Sequence, residues 1–92
     1  MIQSIRHRGL KRLFERDDSR NVPAAVAERL RRVLGALQRA QEPDDLRLPG
    51  FGLHPLKGKR RGEWSITVTR NWRVTFKFEG TNVIDVNLED YH

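Results

Sequence analysis

The sequence predicts an α+β fold in which two N-terminal helices pack on one face of an antiparallel β-sheet. Three observations predict it. Apolar residues recur at helical spacing up to residue 42, their period changes to 2 after Leu53, and the links between the later alternating runs are very short. A chain of 92 residues has room for one modest core, so residues 1–92 are expected to form a single domain. The apolar face of the sheet must be covered, and the long amphipathic helix is the large apolar surface available to cover it.

Residues 2–6 alternate apolar and polar, consistent with a short first strand. Gly9 breaks that strand. Leu10, Leu13 and Phe14 then recur at helical spacing until Asp17-Asp18-Ser19 ends a short first helix with local turn chemistry. The second helix opens at Pro23, whose missing N–H costs nothing in a first helical position. Val22, Val26, Leu30, Val33, Leu34 and Leu37 form one apolar stripe along it, and Arg29, Arg32 and Arg39 lie off the stripe. Glu42-Pro43 closes it, because the residue before proline is pushed out of the α region. Residues 43–52, PDDLRLPGFG, read as a structured loop. Three alternating runs follow: Trp64, Ile66 and Val68; then Trp72, Val74, Phe76 and Phe78; then Ile84, Val86 and Leu88. The turns at Arg70-Asn71 and Gly80-Thr81-Asn82 predict an antiparallel meander.

Charge narrows the function. Lys and Arg number 18 against 12 Asp and Glu, a net +6. Residues 54–77 hold seven of the cations (Lys57, Lys59, Arg60, Arg61, Arg70, Arg73, Lys77) with Glu63 as the one acid, so this stretch carries the whole excess. After Lys77 the sign reverses, with Glu79, Asp85, Glu89 and Asp90 facing no Lys or Arg. Period 2 puts Arg73, Thr75 and Lys77 on the sheet side away from the helices, beside Asp85, Asn87 and Glu89 of the next strand. Such a face is either a phosphate-binding groove or a salt-bridged exterior.

Three histidines differ in context. His7, between Arg6 and Arg8, reads as an exposed spectator. His54 stands in LHPLKG just ahead of the basic block, and His92 ends the chain after Asp90 and Tyr91. Cleavage of RNA by its own 2′-hydroxyl needs a base, an acid and cations on the phosphate, and imidazole is the best-matched proton carrier. His54, Asp90 and His92 supply proton transfer in this reading, and Lys57, Arg73 and their neighbours Lys59, Arg60 and Arg61 supply charge. No cofactor or metal is required. The chain has no cysteine, no paired-histidine zinc motif, no Walker pattern and no nucleophile elbow, so those chemistries find no signature. The absence of a signal-peptide pattern and of a spanning apolar run makes a soluble cytoplasmic protein the expectation, with no membrane partner.

The segments IRHRGLKRLFE and LHPLKGKRRGEWSITVTRNWRVTF and the ending EDYH together resemble the HigB toxins of the RelE superfamily, also called plasmid maintenance killer proteins. The resemblance implies a RelE-like fold and the toxin of a type II toxin–antitoxin system. It implies an endoribonuclease that cuts messenger RNA in the ribosomal A site, against 16S rRNA, and so inhibits translation. It places His54 and His92 as proton-transfer partners supported by Asp90, Tyr91 against a base or nucleotide, and Lys57 and Arg73 on the phosphate. It also implies a HigA-type helix-turn-helix antitoxin, through which alone operator DNA would be touched. The competing readings are a toxin of the same fold acting on DNA gyrase and an RNA-binding module that cuts nothing.

Overall fold

The computed structural model describes residues 1–90; Tyr91 and His92 lie outside the described residues. Two helices cover one face of a four-stranded antiparallel sheet: α1 (Arg8–Arg16), α2 (Ala27–Arg39), β1 (His54–Pro55), β2 (Glu63–Thr67), β3 (Trp72–Glu79) and β4 (Asn82–Asp90), with the strands in chain order across the sheet. Among the described residues no helix is long and apolar enough to cross a membrane.

The expected apolar stripe of α2 and its approach is buried throughout: Leu30, Val33 and Leu37 are fully sequestered, and Val22, Val26 and Leu34 nearly so. It meets Ile66, Val68, Val74, Phe76 and Val86 of the sheet in one cluster. The helix begins later than the sequence predicts. Pro23 caps a 3₁₀ turn, Ala24–Val26, and regular α-helix starts only at Ala27. It also ends earlier, at Arg39, where Ala40 turns extended. Glu42-Pro43 instead opens a second 3₁₀ turn, Pro43–Leu46, held by Asp45 Oδ2 accepting from the N–H groups of Gln41 and Glu42. That turn drives Leu46 into the core with no exposure, which gives the Pro/Gly-rich loop an apolar anchor.

Two N-terminal expectations are corrected. Gly9 does not divide a strand from a helix; it lies buried inside α1, where a Cβ would stand 2.0 Å from the Asn21 carbonyl oxygen. Its small size is a packing requirement. His7 is no exposed spectator either. It is half-buried as the N-cap of α1, and its Nδ1 accepts from the Leu10 N–H at 3.0 Å. Burial pushes its pKa below the usual 6.5, in keeping with a ring that must stay neutral to cap. At the other end Asp17 adopts φ 53° and its N–H returns to Leu13 O, the αL closure that local turn chemistry anticipates.

β4 departs from simple alternation. Thr75 pairs with Asn87 but Lys77 with Ile84, so Phe76 alone opposes Asp85 and Val86. This is a β-bulge, with Asp85 at φ 55°. The extra residue flips the register, so that Val83, not Ile84, joins Val86 and Leu88 in the core, while Ile84 stands half-buried beside Lys77 on the other face. The same bulge explains the N-terminus. Residues 2–6 do not form a continuous strand but touch β4 at two parallel bridges, Ile2 with Val83 and Ile5 with Val86. Between them the bulged Asp85 N–H turns to Ser4 Oγ at 2.8 Å.

Gly9→Ala is expected to lower unfolding free energy by about 3 kcal/mol or more, because backbone rather than a flexible side chain blocks the methyl; urea unfolding at pH 7 measures it. Because the folded pKa of His7 lies below 6.5, the unfolded chain binds more protons in that window, and stability falls as pH drops below 6.5. His7→Asn, which keeps a capping oxygen, should remove that component from a pH series of melting curves.

Candidate active face of the sheet

Antiparallel pairing sorts the functional side chains by row. His54, Ser65, Thr75 and Asn87 are direct partners across β1 to β4, and Thr67, Arg73 and Glu89 form the next row. Directly opposed residues share a face, so both rows look away from the helices. His54 and Arg73 are thus offset by two strands and one two-residue step, roughly 10 Å across and 7 Å along.

Segment 50–53 is pinned from both sides. Phe51 O accepts from Thr67 N–H at 2.7 Å, and Arg29 reaches from α2 to Gly50 O at 2.9 Å. Gly52 has φ 56° and leaves only 3.0 Å between a Cβ position and Thr67 Oγ1, so this close approach needs glycine. His54 follows directly, exposed at the sheet edge, with Nδ1 at 2.9 Å from the Gly52 carbonyl. A carbonyl only accepts, so Nδ1 carries the hydrogen and Nε2 of the neutral ring presents a lone pair. That tautomer suits a general base.

Beyond β1 the chain turns through a 3₁₀ segment, Gly58–Arg60, capped by Lys57. Lys57, Lys59 and Arg61 are exposed there, and none enters an ion pair with the described residues. Arg60, in the same turn, is paired with two carboxylates. Its guanidinium donates through Nε and Nη2 to Glu63, at 2.9 and 2.8 Å, and through Nη1 and Nη2 to Glu89, at 2.9 and 2.5 Å. Glu89 also accepts from Arg73 Nε and Nη2, at 3.2 and 3.1 Å, and from Thr75 Oγ1 at 2.9 Å. Two guanidinium groups and two carboxylates leave this cluster without net charge, so the uncompensated positive charge of this turn lies on the exposed Lys57, Lys59 and Arg61.

The cluster is screened from water, with the Arg73 and Glu89 side chains each 19% exposed. Beneath it Ser65 and Thr75 are buried even though they face away from the helices. Hydrogen bonds from Arg60 hold the Glu89 carboxyl down at about 2, with Thr75 and Arg73 adding to the effect and burial opposing it. Arg60 likewise lowers Glu63 and is itself raised by both carboxylates.

Glu89 is the residue the sequence reading did not select. Its signal was present in the alternation that set Glu89 beside Arg73, but such cross-strand pairs are common in exteriors. Asp90, by contrast, pairs with Trp72 and so stands on the other side of β4 from Glu89, at the strand end. The structure puts His54 and Arg73 on one face of the sheet, two strands apart, and leaves Lys57 exposed in the turn that follows β1. The expected contributions of Tyr91 and His92 lie outside the described residues.

Comparison with known proteins agrees with this architecture. A family model described as the RelE-like toxin of the type II toxin–antitoxin system HigB matches residues 3–92. The chain is 47% identical over 92 residues, the whole of both sequences, to a Proteus vulgaris protein named Endoribonuclease HigB. Among solved structures, YafQ from E. coli strain BL21(DE3) superposes with TM-score 0.65 at 14% identity, covering 98% of this chain and 91% of its own. A YoeB/ParE toxin from Agrobacterium tumefaciens superposes with TM-score 0.59 at 19% identity, covering 77% and 80%. These two likenesses speak for the fold, which is that of RelE-like toxins.

Because the folded pKa of Glu89, about 2, lies below its ordinary 4.5, the stability it contributes is complete above pH 4.5 and lost as pH falls toward 2. Glu89→Gln is expected to cost roughly 3 kcal/mol at pH 7 and to flatten the acid loss over that window. Urea midpoints measured from pH 2 to 7 report both; an unchanged acid slope would contradict the assignment.

Proposed function

The chain belongs to the HigB family of RelE-like type II toxins, and from that premise we propose that it is an endoribonuclease cutting messenger RNA in the ribosomal A site. The full-length 47% identity to a protein named as an endoribonuclease carries the reading. The sheet face supports it, since an exposed imidazole with its Nε2 open stands beside a cationic turn and an arginine two strands away.

The reaction is transfer within one RNA strand. The 2′-oxygen attacks the adjacent phosphorus as its proton passes to a base, and the bond to the 5′-oxygen breaks as an acid protonates that oxygen. A 2′,3′-cyclic phosphate and a 5′-hydroxyl result. His54 and His92 form the proton-transfer pair with support from Asp90, and Tyr91 stacks on a base, worth roughly 1–3 kcal/mol, or orients the nucleotide. Lys57 and Arg73 bear on the phosphate and on the charge that builds during attack, while Lys59 and Arg61 meet the RNA backbone. The chemistry routes no step through a metal. A toxin of a type II system is paired with an antitoxin; here that partner is a HigA-type helix-turn-helix protein, and toxin and target meet in the cytoplasm.

Purified protein added to ribosomes programmed with a defined message should cut within the A-site codon and leave the same RNA largely intact without ribosomes. Efficient cutting of free RNA would contradict ribosome dependence, and binding without new ends would favour a non-catalytic module. His54→Ala, Lys57→Ala, Arg73→Ala and His92→Ala should each slow cleavage by about 100-fold or more. Each should also relieve growth arrest on induction. Full toxicity in all four would discard the site.

A further inference from the structure

We propose that Glu89 is the positioning residue of this face, a carboxylate that locks the turn bearing Lys57 to the strand bearing Arg73 by gripping Arg60 and Arg73 together. The inference rests on the endoribonuclease reading above and adds a residue to it.

The geometry is that of a brace. Arg60 belongs to the turn between β1 and β2, three positions after Lys57, and its N–H returns to the Lys57 carbonyl at 3.3 Å. Its guanidinium crosses to β4, 29 positions away, and is held on Glu63 at one edge and Glu89 at the other. A planar fork bound on two edges cannot swing, so the turn is fixed in direction as well as distance. Glu89 closes the brace by taking Arg73 through Nε and Nη2 and Thr75 through its hydroxyl.

Strand pairing by itself does not call for this arrangement. β3 and β4 already pair from Trp72 through Glu79, and desolvating a charge cluster is a poor route to stability. What the cluster adds to the strand ladder is a side-chain tie between two cationic elements that come from separate parts of the chain. If both must meet one phosphodiester, a shift of about 1 Å in either would cost about 100-fold in rate.

The test uses the intact toxin with programmed ribosomes and compares Glu89→Gln, Glu89→Asp, Arg60→Lys and the Glu89→Gln/Arg60→Lys pair. Glu89→Gln should lower kcat by about 30-fold while KM for the ribosome stays within about threefold, because the exposed cations that attract RNA are kept and only their placement at the phosphate is lost. Glu89→Asp, which keeps the charge, should recover most of kcat. Arg60→Lys, which keeps charge but loses the fork, should resemble Glu89→Gln, and the double variant should be no worse than the poorer single. Where Glu89→Gln fails to fold, Arg60→Lys and Glu89→Asp carry the comparison.

A second readout needs no activity. The Nε–H resonances of Arg60 and Arg73 should be slow to exchange in the parent protein and fast in Glu89→Gln, with the amides of the Lys57 turn shifting. Folded Glu89→Gln or Arg60→Lys with kcat within twofold of the parent, losses that multiply in the double variant, or unchanged guanidinium exchange would overturn the proposal. A parent protein that does not cut ribosome-bound RNA defeats the functional reading instead, and the resonances then decide whether the brace exists.

Discussion

The packing of one apolar helix stripe on one apolar sheet face is the constraint from which the rest of this molecule follows. Leu30, Val33 and Leu37 of α2 lie fully buried over Ile66, Val74 and Phe76. In a chain this small such a contact supplies most of the driving force for folding. Once it is made, the strands have no freedom about which side chains look outward. Every charged residue at an alternate position is delivered to the opposite face, where opposite signs on neighbouring strands are forced together.

That second face behaves as more than a solvated exterior. Ser65 and Thr75 are buried in its floor, and Glu89 holds a carboxylate charge far into the acid range because three donors surround it. The result separates two kinds of cation that composition alone treats as one block. Arg60 and Arg73 are internally neutralised and geometrically fixed, while Lys57, Lys59 and Arg61 project into water. Charge held on a fixed frame suits the stabilisation of a developing transition state, and unpaired exposed charge suits attraction of a polyanion. Both kinds fit a HigB-type toxin.

Local irregularities do the positioning. The glycine at position 52 lets the loop lie against Thr67 and aims His54; the 3₁₀ turn at Pro43–Leu46 anchors that loop from below. The bulge at Asp85 swings Val83 into the core and turns the edge of β4 toward the N-terminal segment, which covers it at Ile2 and Ile5. An otherwise open strand edge is thereby blunted.

Much of this was legible in the residues themselves. Period 3.6 marked the buried stripe of α2 and its approach, though not the helix's ends, period 2 marked β2 and β3, and the segments around LHPLKG and EDYH named the family. These are local signals, written in spacings of two to four residues. What only tertiary structure decided depends on which residues meet across long separations. Gly9 proved to be a packing contact with Asn21, His7 a helix cap, Val83 rather than Ile84 a core residue, and Arg60 the partner of both Glu63 and Glu89. Spacing along the chain fixes the face a side chain occupies, but an ion pair spanning 29 positions depends on strand register and on one inserted residue, and neither is written in a local period.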